Sequence, residues 1–240
     1  MTPIEPRAWD ALLVVALTVG LPFFTLFVTL PRLLALPRPE LEQRRPALYV
    51  EAMFTQWLFA GAGLHLLLRG YAPRDFGLEP PQGNGLWYGA ALLGGLCLVI
   101  ALQQRQLRAD PTGGEKVRTA LSRVEWILPR TPSQRRRWWL VSLHAGWGEE
   151  LLYRGYVFGL LLHFVPVWAA ALASSALFGF AHIYQGLRGI VLTTVLGGVF
   201  FGLYWASGSL WVPILAHALY DIHAGELGYW AYRERRSDNS

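Results

Sequence analysis

The sequence has little charge, and its basic residues are almost all arginine. Asp, Glu, Lys and Arg make up 15% of the 240 residues, against about 25% in ordinary soluble domains. Lys116 is the only lysine beside 20 arginines. The hydrophobic fraction is 53%, and the mean hydropathy is +0.31. This composition excludes a soluble enzyme of normal design and predicts an integral membrane protein.

Cysteine is nearly absent, because Cys97 is the only one. It cannot form an internal disulfide, and its apolar surroundings predict a packed, unreactive thiol. The basic residues lie in short segments between apolar runs and form no patch typical of phosphate-backbone binding. We therefore expect no nucleic-acid partner, and we expect the lipid bilayer to surround the chain.

Seven apolar segments are long enough to cross a hydrocarbon layer of about 30 Å, which takes about 20 helical residues, with shorter spans tolerated by bilayer thinning. They predict an all-α, polytopic transmembrane bundle. The first segment is followed by Pro31 and Arg32 instead of a small-residue cleavage site, so we expect it to be a span and not a cleaved signal peptide. The predicted spans are residues 9–30, 48–69, 86–103, 138–162, 166–183, 188–206 and 210–230.

The positive residues predict the orientation of these spans. Alternating sides places 17 of the 21 positive residues on one side and three on the other, while Arg154 lies inside a span. By the positive-inside rule the N-terminus is outside and the C-terminus is cytoplasmic. The arginine-rich, lysine-poor composition suggests a bacterial source and thus a bacterial inner (plasma) membrane. In the long connector, 104–137, residues 117–128 have helical apolar spacing and are expected to lie along the membrane surface.

Ionisable residues inside the spans cluster in one layer. Each costs about 2.5 to 3.5 kcal/mol on insertion scales, so each needs a partner or a function. The first of them, Glu149, lies about 11 residues, or ~17 Å, from the cytoplasmic start of its span, and the rest fall in the same half of the bilayer. The cluster consists of Glu149, Glu150 and Arg154 in the fourth span, His182 at the end of the fifth, and His217 and Asp221 in the seventh.

Helical spacing predicts which of these residues interact. Glu150 and Arg154 are an i, i+4 pair suited to an ion pair, while Glu149 is turned about 100° away toward another neighbour. His217 and Asp221 have the same spacing, so the carboxylate can hold one ring nitrogen and select the tautomer. Two glycine pairs of the GxxxG type are expected to let helices approach closely. They are Gly155 with Gly159 and Gly198 with Gly202.

Three motifs contain these residues: EExxxR at 149–154, FxxxH at 178–182 and HxxxD at 217–221. Their order, with one helix lacking ionisable groups between the second and third, resembles the CPBP family. These are the CAAX-processing and bacteriocin-processing (Abi) intramembrane proteases, which include type II CAAX prenyl endopeptidases. The resemblance covers about residues 138–224. It implies a chain divided into N-terminal helices with the connector (1–137), a catalytic core (138–230) and a cytoplasmic tail (231–240).

The resemblance implies an endopeptidase that cleaves a membrane-associated protein or peptide in the cytoplasmic half of the bilayer. Glu149 would activate a water that His182 shares, and Glu150 and Arg154 would be a structural pair. Phe178 would pack against the wall of the site. His217 and Asp221 would polarise the scissile carbonyl. Because an ionised carboxylate cannot donate to an oxyanion, Asp221 must be protonated, orient His217 or ligate a metal.

The cofactor stays open between none and a divalent metal such as zinc, for which Glu149, His182 and His217 are candidate ligands. The chain contains no HExxH, GxSxG or GxGD motif, which weighs against other intramembrane proteases. The substrate class also stays open among CAAX-like C-termini, bacteriocin-type peptides and C-terminal sorting tails.

Two alternatives to a protease are a non-catalytic immunity or scaffold protein of the same fold and a transporter. We find no internal repeat or pair of broken helices of the kind a transporter would show. The remaining histidines are expected to have packing roles or, for His65, no evident partner. The packing group is His144, His163 and His223.

Overall fold

A computed structural model of the chain describes the backbone of residues 2–237 and the side chains of residues 2–233. This part of the chain is helical and contains no strand, which confirms the all-α prediction. Short 3-10 turns at Pro73–Phe76, Ser122–Val124 and Ile183–Gln185 join longer elements. The longer helices are α1 Ala8–Leu34, α2 Arg38–Leu68, α3 Asn84–Ala109, α4 Gly113–Ala120, α5 132–161, α6 Val167–Ala181, α7 Gly186–Ser207 and α8 Trp211–Ser237.

A helix lies at each of the seven predicted spans. Within residues 2–237, three helices are both long and apolar enough to cross a membrane: Ala8–Leu34, Asn84–Ala109 and Ile183–Ser207, the last including the 3-10 turn before α7. Val167–Ala181 is apolar but shorter. The chain is therefore an integral membrane protein, while the count of seven spans and their orientation stay predictions.

Three helix boundaries differ from the predicted spans because prolines and charges were taken as span ends. Helix α2 begins ten residues earlier than residue 48, with Pro39 in the first turn, where a missing N–H costs nothing. Helix α3 runs on past residue 103 to Ala109. Helix α8 likewise continues into the predicted tail to Ser237, and residues 238–240 lie outside the described part of the chain.

The connector packs on α8, and its expected position along the membrane surface stays a prediction. Its helix, α4, is shorter than the predicted 117–128. Val117 is buried against Leu227 and Ala231 of α8, and Arg118 Nη1 donates to the carbonyl oxygen of Ala231 at 2.9 Å. The same apolar spacing that suits a membrane surface also suits a groove on a neighbouring helix, which is why the sequence pattern was ambiguous.

Three segments widen into π-helical turns. Two of them, Ala16–Gly20 and Thr25–Thr29 in α1, end directly before the turns that contain Pro22 and Pro31. A proline ring displaces the carbonyl four residues earlier, so local widening is expected there. The third, Leu151–Val157, follows Glu150 in α5 without a proline. Such turns occur frequently at functional sites.

Helix α5 is central and makes its closest contacts through glycines. A Cβ at Gly148 would lie 2.3 Å from the Gln56 carbonyl oxygen of α2, and one at Gly146 would lie 2.5 Å from the Ile214 carbonyl oxygen of α8. The prediction for the glycine pair of α7 was wrong, because Gly198 and Gly202 face open space. Spacing alone identifies a small-residue stripe, but helix rotation decides which side of α7 faces a partner.

Candidate active site

The start of α5 is well defined by a local cap, and this positions the motif that follows. Thr131 Oγ1 accepts a hydrogen bond from the Gln134 backbone N–H at 3.2 Å, and Gln134 Oε1 accepts from the Arg130 N–H at 2.8 Å. Pro132 occupies the first turn. This reciprocal arrangement is typical of a helix N-terminus. Glu149 and Glu150 then lie between α2 on one side and α8 on the other.

Glu150 lies at the centre of a fully buried network. Its Oε1 accepts from Arg154 Nη1 at 3.1 Å and from His217 Nδ1 at 2.9 Å. The predicted pairing of Glu150 with Arg154 is thus confirmed, with both side chains at most 1% exposed. Arg154 Nη2 also donates to the Gly197 carbonyl oxygen at 2.8 Å, and its guanidinium carbon lies 4.4 Å from the centre of the Phe178 ring. Glu150 therefore joins α5 to α8, and Arg154 joins α5 to α6 and α7.

His217 is oriented by Glu150 and not, as expected, by Asp221. Since an ionised carboxylate only accepts, His217 donates through Nδ1 to Glu150 and presents Nε2 to the rest of the site. That nitrogen lies 3.8 Å from Glu149 Oε2 and 3.7 Å from Asp221 Oδ2. Both distances exceed a direct hydrogen bond. The i, i+4 spacing did place Asp221 beside the ring, but at the other nitrogen.

Aromatic rings hold the imidazole of His217 on two sides. Phe200 stacks on it with ring centres 4.8 Å apart and an interplanar angle of 20°, and Phe178 meets it edge-on at 5.7 Å. The Phe178 side chain is 1% exposed and also contacts Arg154 and His182. Phe178 thus packs against the predicted site residues, and its role in the wall of an active site stays a prediction.

Glu149 faces a different neighbour from Glu150, as the helical geometry predicted. Its Oε1 accepts from Gln56 Nε2 of α2 at 2.8 Å. Its Oε2 is buried and has no hydrogen-bond partner among the described residues, and the side chain as a whole is 12% exposed. One carboxylate oxygen is thus held in place while the other is directed toward His217 Nε2.

Sequence reasoning missed Gln56. We considered only ionisable residues inside the spans, and a neutral amide falls outside that set. The available signal was a glutamine within the predicted span 48–69, since a buried side-chain amide also needs a hydrogen-bond partner. Its contact with Glu149 depends on the close approach of α2 to Gly148, which no pattern within either helix reveals.

His182 lies at the C-terminal end of α6 and Asp221 at the more exposed rim of the site. His182 donates through Nδ1 to the Phe178 carbonyl oxygen at 2.9 Å, which leaves Nε2 available. Asp221 is 31% exposed, against 4% or less for His217 and Glu150. The four ionisable residues proposed for catalysis thus come from α5, α6 and α8, as predicted.

The side chains as placed do not fit a preformed zinc site. Within the described residues, no three His, Cys, Asp or Glu side chains are arranged to hold a metal ion. Glu149 and His217 approach each other, but a structural or catalytic zinc site needs at least three protein ligands at about 2.0 to 2.3 Å. The candidate ligand set Glu149, His182 and His217 stays a prediction.

The other histidines have partners outside this site. His144 donates to the Leu140 carbonyl oxygen at 2.7 Å, and the ring of His163 meets that of Phe164 edge-on. Both ring nitrogens of His223 bond to consecutive glutamines of α3, Gln103 and Gln104, at 3.0 Å. The ring of His65 meets Trp9 and Tyr156 edge-on. Cys97 is free, as expected, but it is exposed on α3 and not packed in the core.

The fold and site define an all-helical integral membrane protein with a buried layer of carboxylates, imidazoles and one guanidinium. Residues 132–223 match the family described as Type II CAAX prenyl endopeptidase Rce1-like. The match begins at the first residue of α5 and ends two residues after Asp221, so it contains every ionisable residue of the candidate site. The resemblance predicted from the three motifs is confirmed over this part of the chain.

A curated relative supports the same comparison. A stretch of 71 residues, 30% of this chain, is 37% identical to "Putative membrane peptidase YdiL" of Bacillus subtilis (strain 168). The aligned stretch spans 28% of that relative's length. No solved structure matches the chain.

Proposed function

We propose that the chain is an intramembrane endopeptidase in which Glu149 activates a water for attack on a peptide bond. The observation that carries this proposal is the state of the Glu149 carboxylate. Gln56 holds one oxygen at 2.8 Å, while the other is buried without a hydrogen-bond partner, 3.8 Å from His217 Nε2. A water beside this free oxygen could bond to it, and a general base must be within such reach of the proton that it removes.

In the proposed reaction Glu149 takes a proton from the water, and the resulting hydroxide attacks the scissile carbonyl carbon. The tetrahedral intermediate collapses, the C–N bond breaks, and Glu149 returns the proton to the leaving amine. The atoms and charges balance without an added reactant, because one water is consumed for each bond cleaved. His182, through its available Nε2, would share the attacking water with Glu149.

His217 would act on the carbonyl oxygen. Glu150 accepts from its Nδ1, so Nε2 is the nitrogen presented to substrate, and the Phe200 and Phe178 rings prevent rotation of the imidazole. When protonated, Nε2–H donates to the developing oxyanion. Asp221 lies 3.7 Å from the same nitrogen, and its negative charge would favour the protonated imidazole. Glu150 and Arg154 touch no substrate in this scheme and act as positioning residues.

We also propose a membrane location and a substrate class. The arginine distribution supports an N-terminus outside, a cytoplasmic C-terminus and a site in the cytoplasmic half of a bacterial inner membrane. The substrate would be a membrane-embedded or membrane-anchored protein or peptide. A metal held by Glu149, His182 and His217 is the alternative chemistry. Metal analysis of purified active protein, with activity measured before and after chelation, tests this point.

The main experiment compares membrane proteomes of cells that carry the wild type, Glu149→Gln or Glu51→Gln as their sole copy. Glu51 is a matched control because its ion pair with Arg44 is about half exposed, and such pairs contribute little. Uncut precursors should accumulate only with Glu149→Gln, and purified wild type should cleave them in liposomes. Equal processing by Glu149→Gln would overturn the mechanism.

A further inference from the structure

A cavity lies among the predicted cytoplasmic ends of the helices. Its volume is about 710 Å³, and its walls come from the C-terminal end of α1, the N-terminal end of α2 and the connector after α4. Tyr184 borders it on the side of the candidate active site, where its ring lies 5.9 Å from that of His182. The proposed proteolysis does not use this cavity.

Four arginines and two glutamates line the cavity, so its walls carry an excess of positive charge. Arg45 is 3% exposed, and the Arg130 side chain is 7% exposed. Each has a buried Nη1 without a hydrogen-bond partner among the described residues. Leaving a buried charged donor unpaired is costly. Two such donors on one cavity indicate a ligand that accepts hydrogen bonds and carries negative charge.

One other nitrogen of each guanidinium group is already held by protein. Arg45 Nε donates to the Trp126 carbonyl oxygen at 3.1 Å, and Arg130 Nη2 donates to Glu125 Oε1 at 3.0 Å. Burial, followed by the neighbouring charge of Arg130, lowers the pKa of the Arg45 guanidinium. Both groups line one cavity, and an anion bound there would offset their like charges.

The remaining walls favour a lipid over a small anion. Leu30 and Leu34 at the end of α1, and Leu41 in α2, line the same cavity as the arginines. Helix α1 is one of the three helices apolar enough to span the membrane. A cavity that joins buried guanidinium groups to an apolar span end matches a phospholipid, whose phosphate adjoins its acyl chains. Free phosphate would leave the leucine wall without a partner.

We propose that this cavity binds an anionic phospholipid, with Arg45 and Arg130 donating to its phosphate oxygens and the acyl chains lying along Leu30 and Leu34. Guanidinium groups suit phosphate because their planar donors match its oxygens. The expected headgroup is anionic as a whole, such as phosphatidylglycerol, because the walls carry excess positive charge.

Full-length protein purified in detergent is titrated with phosphatidylglycerol, phosphatidylcholine of the same acyl chains, and inorganic phosphate. Native mass spectrometry counts bound lipid, and thermal unfolding reports stabilisation. The wild type should prefer phosphatidylglycerol by about tenfold or more, and Arg45→Gln or Arg130→Gln should each remove about tenfold, as expected for one charge-assisted hydrogen bond. Arg188→Gln, an exposed arginine outside the cavity, should leave the preference intact.

Equal binding of the two lipids by the wild type overturns the proposal, and this readout does not depend on whether any variant folds. An unchanged preference in both cavity variants also overturns it. If inorganic phosphate stabilises as well as phosphatidylglycerol and displaces it, the site binds free phosphate and not lipid. A third outcome is that the lipid preference is missing and the cavity binds a peptide with a free C-terminal carboxylate but not the same peptide with an amidated C-terminus. The cavity would then be a site for a peptide C-terminus.

Discussion

Two networks of buried charge lie along α5, and they differ in how fully their carboxylates are bonded. In the first, Asp10 of α1 accepts from Arg69 Nη1 at 3.1 Å, from Tyr156 Oη at 2.6 Å and from the Arg7 backbone N–H at 2.6 Å. Each of its oxygens has a donor. In the second network, Glu149 and Glu150 each retain a buried oxygen without a hydrogen-bond partner among the described residues.

The difference separates a structural role from a chemical one. A buried carboxylate whose lone pairs are all used joins helices and leaves nothing to bind a reactant. A buried carboxylate oxygen without a donor lowers the stability of the folded protein. This cost is expected where the carboxylate lies beside an imidazole and acts on a substrate. Asp10 is therefore of the first kind, and we propose that Glu149 is of the second. Glu150 also keeps one unpaired oxygen, but it is fully buried, and its other oxygen holds Arg154 and His217.

The largest expected effect is on turnover. Glu149→Gln should lower the cleavage rate by about 10³-fold or more, since a positioned general base contributes about 10² to 10⁴ and Glu149 also returns the proton. Asp10→Asn should retain most of the wild-type rate, because its network touches no reacting atom. Rates are measured on a precursor identified in the proteome comparison. Similar losses in both variants would remove the distinction between the two networks.

The next effect is on stability. Arg154→Met should cost about 3 to 5 kcal/mol, because it breaks a fully buried pair and leaves Glu150 with His217 alone. Arg69→Met should cost less, since Asp10 keeps the Tyr156 hydroxyl and the Arg7 N–H. Denaturant titration in detergent measures both. A larger loss of stability for Arg69→Met would show that the Asp10 network depends more on its arginine than the Glu150 network does.

A smaller loss of stability is expected from a substitution that pushes α2 and α5 apart. The Cβ of Gly148→Ala would meet the Gln56 carbonyl oxygen at 2.3 Å, and backbone cannot move aside as a flexible side chain can. We expect a loss of about 1 to 3 kcal/mol, as for other overpacked sites. Gly198→Ala is the matched control, because a Cβ there meets nothing within 4 Å. Equal thermal stability of the two variants would contradict the close approach.

The smallest expected effect comes from Gln56, where a change in turnover can be compared with a change in stability. Gln56→Leu removes the donor to Glu149 Oε1 while nearly preserving volume. Turnover should fall about tenfold, as expected when one hydrogen bond to a charged group is lost, with little change in thermal stability. Gln56→Asn is the companion variant, since its shorter amide should not restore the rate. A wild-type rate in Gln56→Leu would show that Glu149 needs no help from α2.

The positions of the helices were largely predictable from sequence. Each predicted span falls on a helix, and the span 166–183 differs from Val167–Ala181 by only a few residues. Boundaries failed where a proline or a charge lay inside a helix, as at the start of α2. Apolar periodicity reports burial or lipid exposure along one helix, and a proline in a first turn does not interrupt it.

The site was predictable in its members but not in all of its partners. The Glu150–Arg154 pair is confirmed because both residues lie on one helix, four positions apart. The partner of His217 Nδ1 was predicted wrongly, because Glu150 comes from another helix and the rotation of α5 against α8 decides that contact. The glycine pair of α7 failed for the same reason.

By itself the sequence determined that this is a helical membrane protein with a few polar residues grouped in one layer, because composition, hydrophobic length and i, i+4 spacing are local properties of the chain. Only the tertiary structure decided that Gln56 holds Glu149, that Glu150 orients His217, and that Arg45 and Arg130 share a cavity. These contacts join segments distant in sequence, and they depend on how closely helices approach and how each is rotated about its axis.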